Sequence, residues 1–120
     1  MIFIDSNIPM YVVGAEHPSK FAAEQMLTRS FDRGERLVTD AEVLQEILRR
    51  YVSIRRWAAV SDAFAALLRF VDEVFPVDKQ DVQKAKDLAF DYRRLSARDA
   101  VHLAVMQRNG VNRIMTFDTA

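Results

Sequence analysis

The sequence contains no cysteine, which excludes a disulfide framework, a thiol nucleophile and a thiolate metal site. Glycine and proline number only three each in 120 residues, far below the content of collagen-like or low-complexity chains. Neither charge is in excess: 17 Lys and Arg face 17 Asp and Glu, for a formal net charge of zero. Nothing global therefore announces a nucleic-acid or membrane partner, and any such partner has to be read from local clusters. Long apolar runs are missing as well. The most apolar stretch, Trp57 to Phe75, is broken by Asp62, Arg69, Asp72 and Glu73, so it fails the requirement of about 20 mostly apolar residues for a membrane span. The opening Met1-Ile2-Phe3-Ile4-Asp5 has neither a basic leader nor a long apolar region; no secretory signal and no membrane partner are expected, and the cytoplasm is the default compartment. What remains is half apolar, 10% aromatic and 28% charged, the composition of one globular domain spanning residues 1–120.

The pattern along the chain alternates short apolar runs with amphipathic segments. Ile2-Phe3-Ile4 reads as a buried strand ending abruptly at Asp5, followed by turn and cap residues Ser6 and Asn7 and a short helix with Pro9 in its first turn, closed by Gly14. A second helix is predicted from Pro18 to before Gly34, with Phe21, Ala22, Met26 and Leu27 at helical spacing, and Leu37-Val38-Thr39 is a second strand. Asp40 can cap a helix running to about Val52, whose stripe is Val43, Leu44, Ile47, Leu48 and Tyr51; Glu42 and Glu46 sit one turn apart on another face. Arg55 to Val71 is amphipathic, with Trp57, Val60, Phe64, Leu67, Leu68 and Val71 as its packing set. Val74 to Val77 reads as a third strand whose Pro76 favours an edge or strand end. Helices are predicted over Gln80 to Tyr92, with Val82, Ala85, Leu88 and Ala89 inward, and over Ala97 to Arg108, capped by Ser96 and ended by Asn109-Gly110. Arg113 to Phe117 is a fourth strand, again terminating in an aspartate, Asp118.

Strands separated by helices imply an α/β sandwich with a short, mainly parallel sheet, in which function concentrates beyond the carboxyl ends of the strands. Asp5 and Asp118 end strands, while Glu46 and Asp99 lie toward the starts of helices, so all four carboxylates can face one crevice. Clustered carboxylates repel one another, and a divalent cation is the obvious reason for a fold to tolerate them. Oxygen ligands without cysteine favour Mg²⁺ or Mn²⁺. The expected chemistry is phosphodiester hydrolysis.

These residues resemble a known family, the PIN-domain nucleases, and within it the VapC toxins of prokaryotic toxin–antitoxin pairs. Met1 to Asn7 is similar to the family's opening strand and Asp-(Ser/Thr)-Asn element, and Thr39 to Glu46 to its helix with the second acid. Leu95 to Ala100 is similar to the third-acid motif containing Asp99, and Ile114 to Asp118 to the closing strand and fourth acid. The resemblance implies a PIN-like α/β/α sandwich and a metal-dependent endoribonuclease in which Asp5, Glu46, Asp99 and Asp118 hold metal and activate water. It further implies a homodimer and a VapB-type antitoxin that folds on binding. Family members continue past the fourth acid into a last short strand, whereas this sequence stops at Ala120, so that strand is expected to be missing from it.

Each residue also has an ordinary reading. Asp5 alone reads as a helix cap, Glu46 as a solvated charge and Asp99 as a first-turn acid complementing the helix dipole. Glu42 competes with Glu46, which is favoured by its place after Val43-Leu44-Gln45. His102, three residues after Asp99, is either a hydrogen-bonded packing histidine or a contact to substrate or to metal-bound water. Ser6, Asn7 and Thr116 read as groups that orient carboxylates or water. Arg49, Arg94 and Arg98 are candidates for RNA phosphates, Tyr11 and Trp57 for stacking or packing. A receiver domain would need paired acids after the first strand and a late lysine, and a haloacid-dehalogenase-type phosphatase would need Asp where Asn7 stands. The other alternative is a PIN-like module that only binds RNA or protein, against which all four acids are present.

Overall fold

The computed structural model describes residues 1–117; Asp118, expected to be the fourth acid, lies outside the described residues. In chain order the elements are β1 (Ile2–Ile4), α1 (Asn7–Val13), α2 (Pro18–Asp32), β2 (Leu37–Asp40), α3 (Ala41–Ser53), α4 (Trp57–Leu68), β3 (Glu73–Phe75), α5 (Lys79–Asp91), α6 (Ala97–Arg108) and β4 (Ile114–Met115). The strands form one sheet in the order β3-β2-β1-β4, every pair parallel, as the alternation of strands and helices predicts. Phe3 stands opposite Val38 on one side and Ile114 on the other. Ile2, Phe3, Ile4, Leu37 and Val38 are all buried, the continuous apolar run of parallel strands covered on both faces. No helix among the described residues is long and apolar enough to cross a membrane.

Local chemistry sets most element ends. Asp40 Oδ1 accepts the Val43 amide at 2.9 Å to start α3, and the Ser96 hydroxyl accepts the Asp99 amide at 3.2 Å to start α6. Asp78 and Asp81 form a reciprocal capping box on α5. Gly110, at φ +70°, lets the Val111 amide reach back to Met106 O at 2.9 Å and turns the chain toward β4. Between α3 and α4 the same left-handed turn is made by Arg55 at φ 58°, a conformation strained for a residue with a Cβ. β4 is shorter than the Arg113–Phe117 strand expected from sequence, because Thr116 and Phe117 leave the ladder to bond Asn7: Asn7 Nδ2 donates to Thr116 Oγ1 at 3.1 Å and the Phe117 amide donates to Asn7 Oδ1 at 3.3 Å.

Two separate apolar clusters result. The larger joins the sheet to α1–α4 and to α6 through Phe3, Ile8, Leu27, Val43, Ile47, Leu67 and Val105, among others; the smaller joins α5 to α6 through Ala85, Leu88, Ala100 and Ala104. Several expected packing residues lie outside both: Phe21, Leu48, Trp57, Leu68 and Val82 are exposed. On α4 the inward row is Ala59, Ala63 and Leu67, four residues apart, so small side chains bring the helix close and leave Trp57 on its outer side. On α5 the buried residue beside Ala85 and Leu88 is Asp81, whose carboxylate takes a bidentate pair of bonds from Arg108 Nε at 2.7 Å and Nη2 at 2.8 Å.

Candidate active site

The carboxyl ends of β1, β2 and β4 and the inner faces of α3 and α6 converge on a hydrogen-bonded chain. Asp5 leaves β1 buried; its Oδ1 accepts the Ser6 amide at 2.7 Å and its Oδ2 accepts the Thr116 hydroxyl at 2.9 Å. The Ser6 hydroxyl donates to Glu46 Oε2 at 2.6 Å, and the other Glu46 oxygen lies 2.6 Å from His102 Nε2. His102 Nδ1 in turn lies 2.8 Å from Asp40 Oδ2. Asp40 thus uses one oxygen to cap α3 and the other to hold α6. Every fully buried side-chain polar atom among the described residues has a hydrogen-bond partner.

Burial would depress the His102 pKa, but its hydrogen bonds to Asp40 and Glu46 and the charges of those two carboxylates prevail and push it up to about 10. It is therefore an imidazolium at neutral pH, each ring N–H donating to one acid. For Glu46, burial acts upward, yet the bonds from His102 and Ser6, with the charges of His102 and Arg98, bring the carboxyl below its ordinary range. Asp5 runs the other way. Its burial outweighs the bonds from Thr116 and Ser6 and the charge of His102, leaving the carboxyl raised. Glu42, half-buried, is also raised, first by burial and then by repulsion from Glu46; Arg49 lies 3.6 Å from it.

Ligand atoms of Asp5, Glu46 and His102 all lie within 4.8 Å of one another. Two buried carboxylates, one of them Asp5 with no ion-pair partner among the described residues, fit a hard divalent cation. His102 fits less directly, since both its ring nitrogens are committed to carboxylates. Asp99 stands on the first turn of α6, one turn before His102, and lines a cavity with Tyr92, Arg94, Leu95 and Arg98; the structure does not bring it into the set of three.

The sequence profile of the PIN domain matches residues 2–120, with the convergence of Asp5 and Glu46 at the strand ends inside it. The chain belongs to the PIN-domain family. The VapC ribonuclease of Mycobacterium bovis is 54% identical over 118 residues, covering 98% of this chain and 90% of the relative. Ribonuclease VapC23 of Mycobacterium tuberculosis is 44% identical over the same length, covering 93% of that relative. The crystal structure of Mycobacterium tuberculosis VapC20, described as a sarcin-ricin loop cleaving toxin, matches with a TM-score of 0.83 at 21% identity over 99% of this chain and 91% of that one. That likeness speaks to the fold alone.

In this PIN domain the supporting residues suggested by sequence take distinct places. Ser6 links Asp5 to Glu46, while Asn7 and Thr116 tie the start of α1 to the end of β4 behind Asp5. Arg49, Arg94 and Arg98 line two cavities flanking the amino end of α6. Tyr11 packs between the rings of His17 and Phe117, at centroid distances of 4.9 and 5.2 Å, so its ring is used internally. Sequence reasoning saw Asp40 only as a helix cap. Its partnership with His102, 62 residues away, has no local signature; the one available hint was an aspartate ending an apolar strand, the same pattern that singled out Asp5.

Proposed function

We propose that this PIN domain is a Mg²⁺- or Mn²⁺-dependent endoribonuclease, the toxin of a VapBC-type pair acting in the cytoplasm. The observation that carries this reading is the buried Asp5–Glu46–His102 cluster at the sheet's carboxyl edge, in a chain 54% identical to a VapC ribonuclease. Asp5 and Glu46 are the residues that would hold the cation, with Asp99 and Asp118 supplying further oxygens from the α6 side and from beyond β4. A divalent cation held there acidifies water and neutralises charge on a phosphodiester. The chain's own groups do the positioning. Ser6 and Thr116 fix the Asp5 carboxylate, and Ser6 and His102 keep Glu46 ionised and aimed at the same point. His102 offsets the charge of Asp40 and Glu46, which lets a fold of zero net charge bury several acids together.

The partner reading places an amphipathic antitoxin segment in an apolar groove beside the acids. A cavity of about 300 Å³ between α1 and α3, lined by Asn7, Met10, Tyr11, Arg50, Tyr51 and Ile54, supports it. The protein is read as a homodimer that uses Tyr11, Val12, Val13 and Trp57; of these Trp57 is exposed to a second copy, while Tyr11, Val12 and Val13 are partly buried against the core.

The test is cleavage of a panel of structured cellular RNAs with Mg²⁺, with Mn²⁺ and with chelator, comparing native protein with Asp5→Asn. Cleavage by the native protein should need the ion, and Asp5→Asn should lower the rate by roughly a hundredfold or more. Because burial raises the Asp5 pKa, its carboxylate costs stability at neutral pH, and the variant should melt no earlier than the native protein. Full activity of Asp5→Asn, after contaminating nucleases have been removed, would overturn the assignment.

A further inference from the structure

The turn between α5 and α6 carries a feature that the acid cluster does not use. A cavity of about 510 Å³ opens there, with Leu95 and Leu103 in its lining, the Tyr92 ring and the Arg94 and Arg98 side chains around it, and Asp99 on the α6 side. The chain has three tyrosines. Tyr51 is buried and Tyr11 is packed between two rings, whereas Tyr92 is 62% exposed and neither its ring nor its hydroxyl has a partner among the described residues. The arginines near this turn differ in their side-chain bonds. Arg49 is tied to Glu42 and Gln45, Arg93 to Phe90 O and Arg108 to Asp81, whereas among the described residues the side chains of Arg94 and Arg98 form no ion pair or hydrogen bond, Arg98 acting on Glu46 only through its charge. Two guanidinium groups without side-chain bonds beside one unpartnered aromatic face, over an aliphatic floor, match a ligand that is flat and apolar on one part and anionic on another.

We propose that this cavity holds one unpaired ribonucleotide next to the scissile position, its base stacked on Tyr92 and its phosphate held by Arg94 and Arg98. The inference rests on the ribonuclease reading and adds a base subsite to it, one that takes an unpaired nucleotide, because a base inside a duplex has no free face to offer. Asp99 in the same lining disfavours a bare phosphate or a wholly anionic ligand. A ribonucleotide instead turns hydroxyl donors toward that carboxylate, its 2′-OH among them. The cavity also lies in line with the acids. Asp99 is one helical turn from His102, and Arg98 and Ser96 also line a second cavity of about 440 Å³ that continues past Arg49 and Glu42 on α3. An RNA backbone crossing Arg98 would thus run from the Tyr92 cavity along the face that carries Glu42 and Glu46.

The test uses fluorescence anisotropy with a fluorescein-labelled RNA hairpin bearing an unpaired loop, beside a blunt duplex of the same stem, in an Asp5→Asn background so that the RNA is not consumed. Tyr92→Ala should weaken hairpin binding about tenfold, Tyr92→Phe should retain it within about twofold because the stacking face is kept, and Arg94→Gln should weaken it severalfold. A loop of deoxyribonucleotides should bind less well than the ribose form. On otherwise native protein, Tyr92→Ala should raise KM for whichever RNA of the panel is cleaved while leaving kcat within about twofold. Both positions are exposed, so melting temperatures should not change. Unaltered hairpin affinity in Tyr92→Ala and Arg94→Gln, with cleavage by the native protein intact, would overturn this inference alone. The same holds if Tyr92→Phe loses as much as Tyr92→Ala, or if duplex binding falls equally. If the native protein neither binds nor cleaves RNA, the ribonuclease reading falls and takes the inference with it.

Discussion

The acid cluster is held from two sides by regions built on different principles. On one side, the sheet and α1–α4 share a large core of aliphatic and aromatic side chains, and Asp5, Asp40 and Glu46 project from it. On the other, α5 and α6 pack on each other through a small cluster of mostly alanine and leucine, and α6 brings Asp99 and His102. The first side is positioned by apolar burial. The second is held in both ways: Val105 and Met106 of α6 enter the large core and His102 is bound to Asp40 and Glu46, while Arg108 ties α6 to Asp81 of α5 and to Pro76 O. A site assembled this way has one wall placed mainly by apolar burial and one whose placement depends on charge as well, and the two should respond differently to mutation and to pH.

The sharpest way to break this contrast is His102→Ala. It leaves Asp40 and Glu46 buried without their cation, a loss of about 3–5 kcal/mol for a buried pair stripped of one partner, to be read by denaturant melts of the metal-free protein. The same contact predicts a pH dependence. The folded pKa of about 10 stands above the ordinary 6.5, so the stabilisation by His102 is complete below about pH 6.5 and is lost as pH rises through about 10. Glu46, lowered from its ordinary 4.5, contributes stability that is present above about pH 4.5 and lost as pH falls through its folded value. Melts in chelator should therefore be highest between these limits; a melting temperature that keeps rising from pH 7 to 10 would contradict the assignment of His102 as an imidazolium.

The next contrast is between the two cores themselves. Leu67→Ala, at a fully buried position of the large core, should cost about 4 kcal/mol, and Leu88→Ala, in the thin α5–α6 cluster, about 2 kcal/mol. Equal losses would mean that the smaller cluster packs as tightly as the larger. Arg108→Ala removes the partner of buried Asp81 and should raise amide hydrogen exchange in α5 and α6 before it does so in the sheet. The smallest effect is expected at the α3–α4 turn, where Arg55→Gly relieves the left-handed backbone and should stabilise by about 1 kcal/mol, without changing exchange in α5 or α6.

Legibility in the sequence followed the range of the interaction. The strand Ile2–Ile4, the helix Ala97–Arg108 with its Ser96 cap and the end at Asn109-Gly110 could be read because apolar runs, caps and breakers act within a few residues. The burial of Glu46 could not be read from its helix, where it shares a face with polar neighbours; it is buried because His102, 56 residues on, supplies the compensating charge. Trp57 was misplaced for a related reason. Periodicity identifies an apolar face, but the close approach of α4 through Ala59 and Ala63 decides which large side chains find room. The Tyr92 cavity had no signal at all, since it exists only where the ends of two helices meet.

The bond between Thr116 and Asp5 joins positions 111 residues apart, and β4 pairs with β1 at the same remove. During synthesis, then, the first acid of the site emerges 111 residues before the hydroxyl that restrains it. A ribosome partway through the message carries a nascent chain whose Asp5 carboxylate lacks that restraint, so the geometry at the sheet edge is completed only as the fourth strand is delivered.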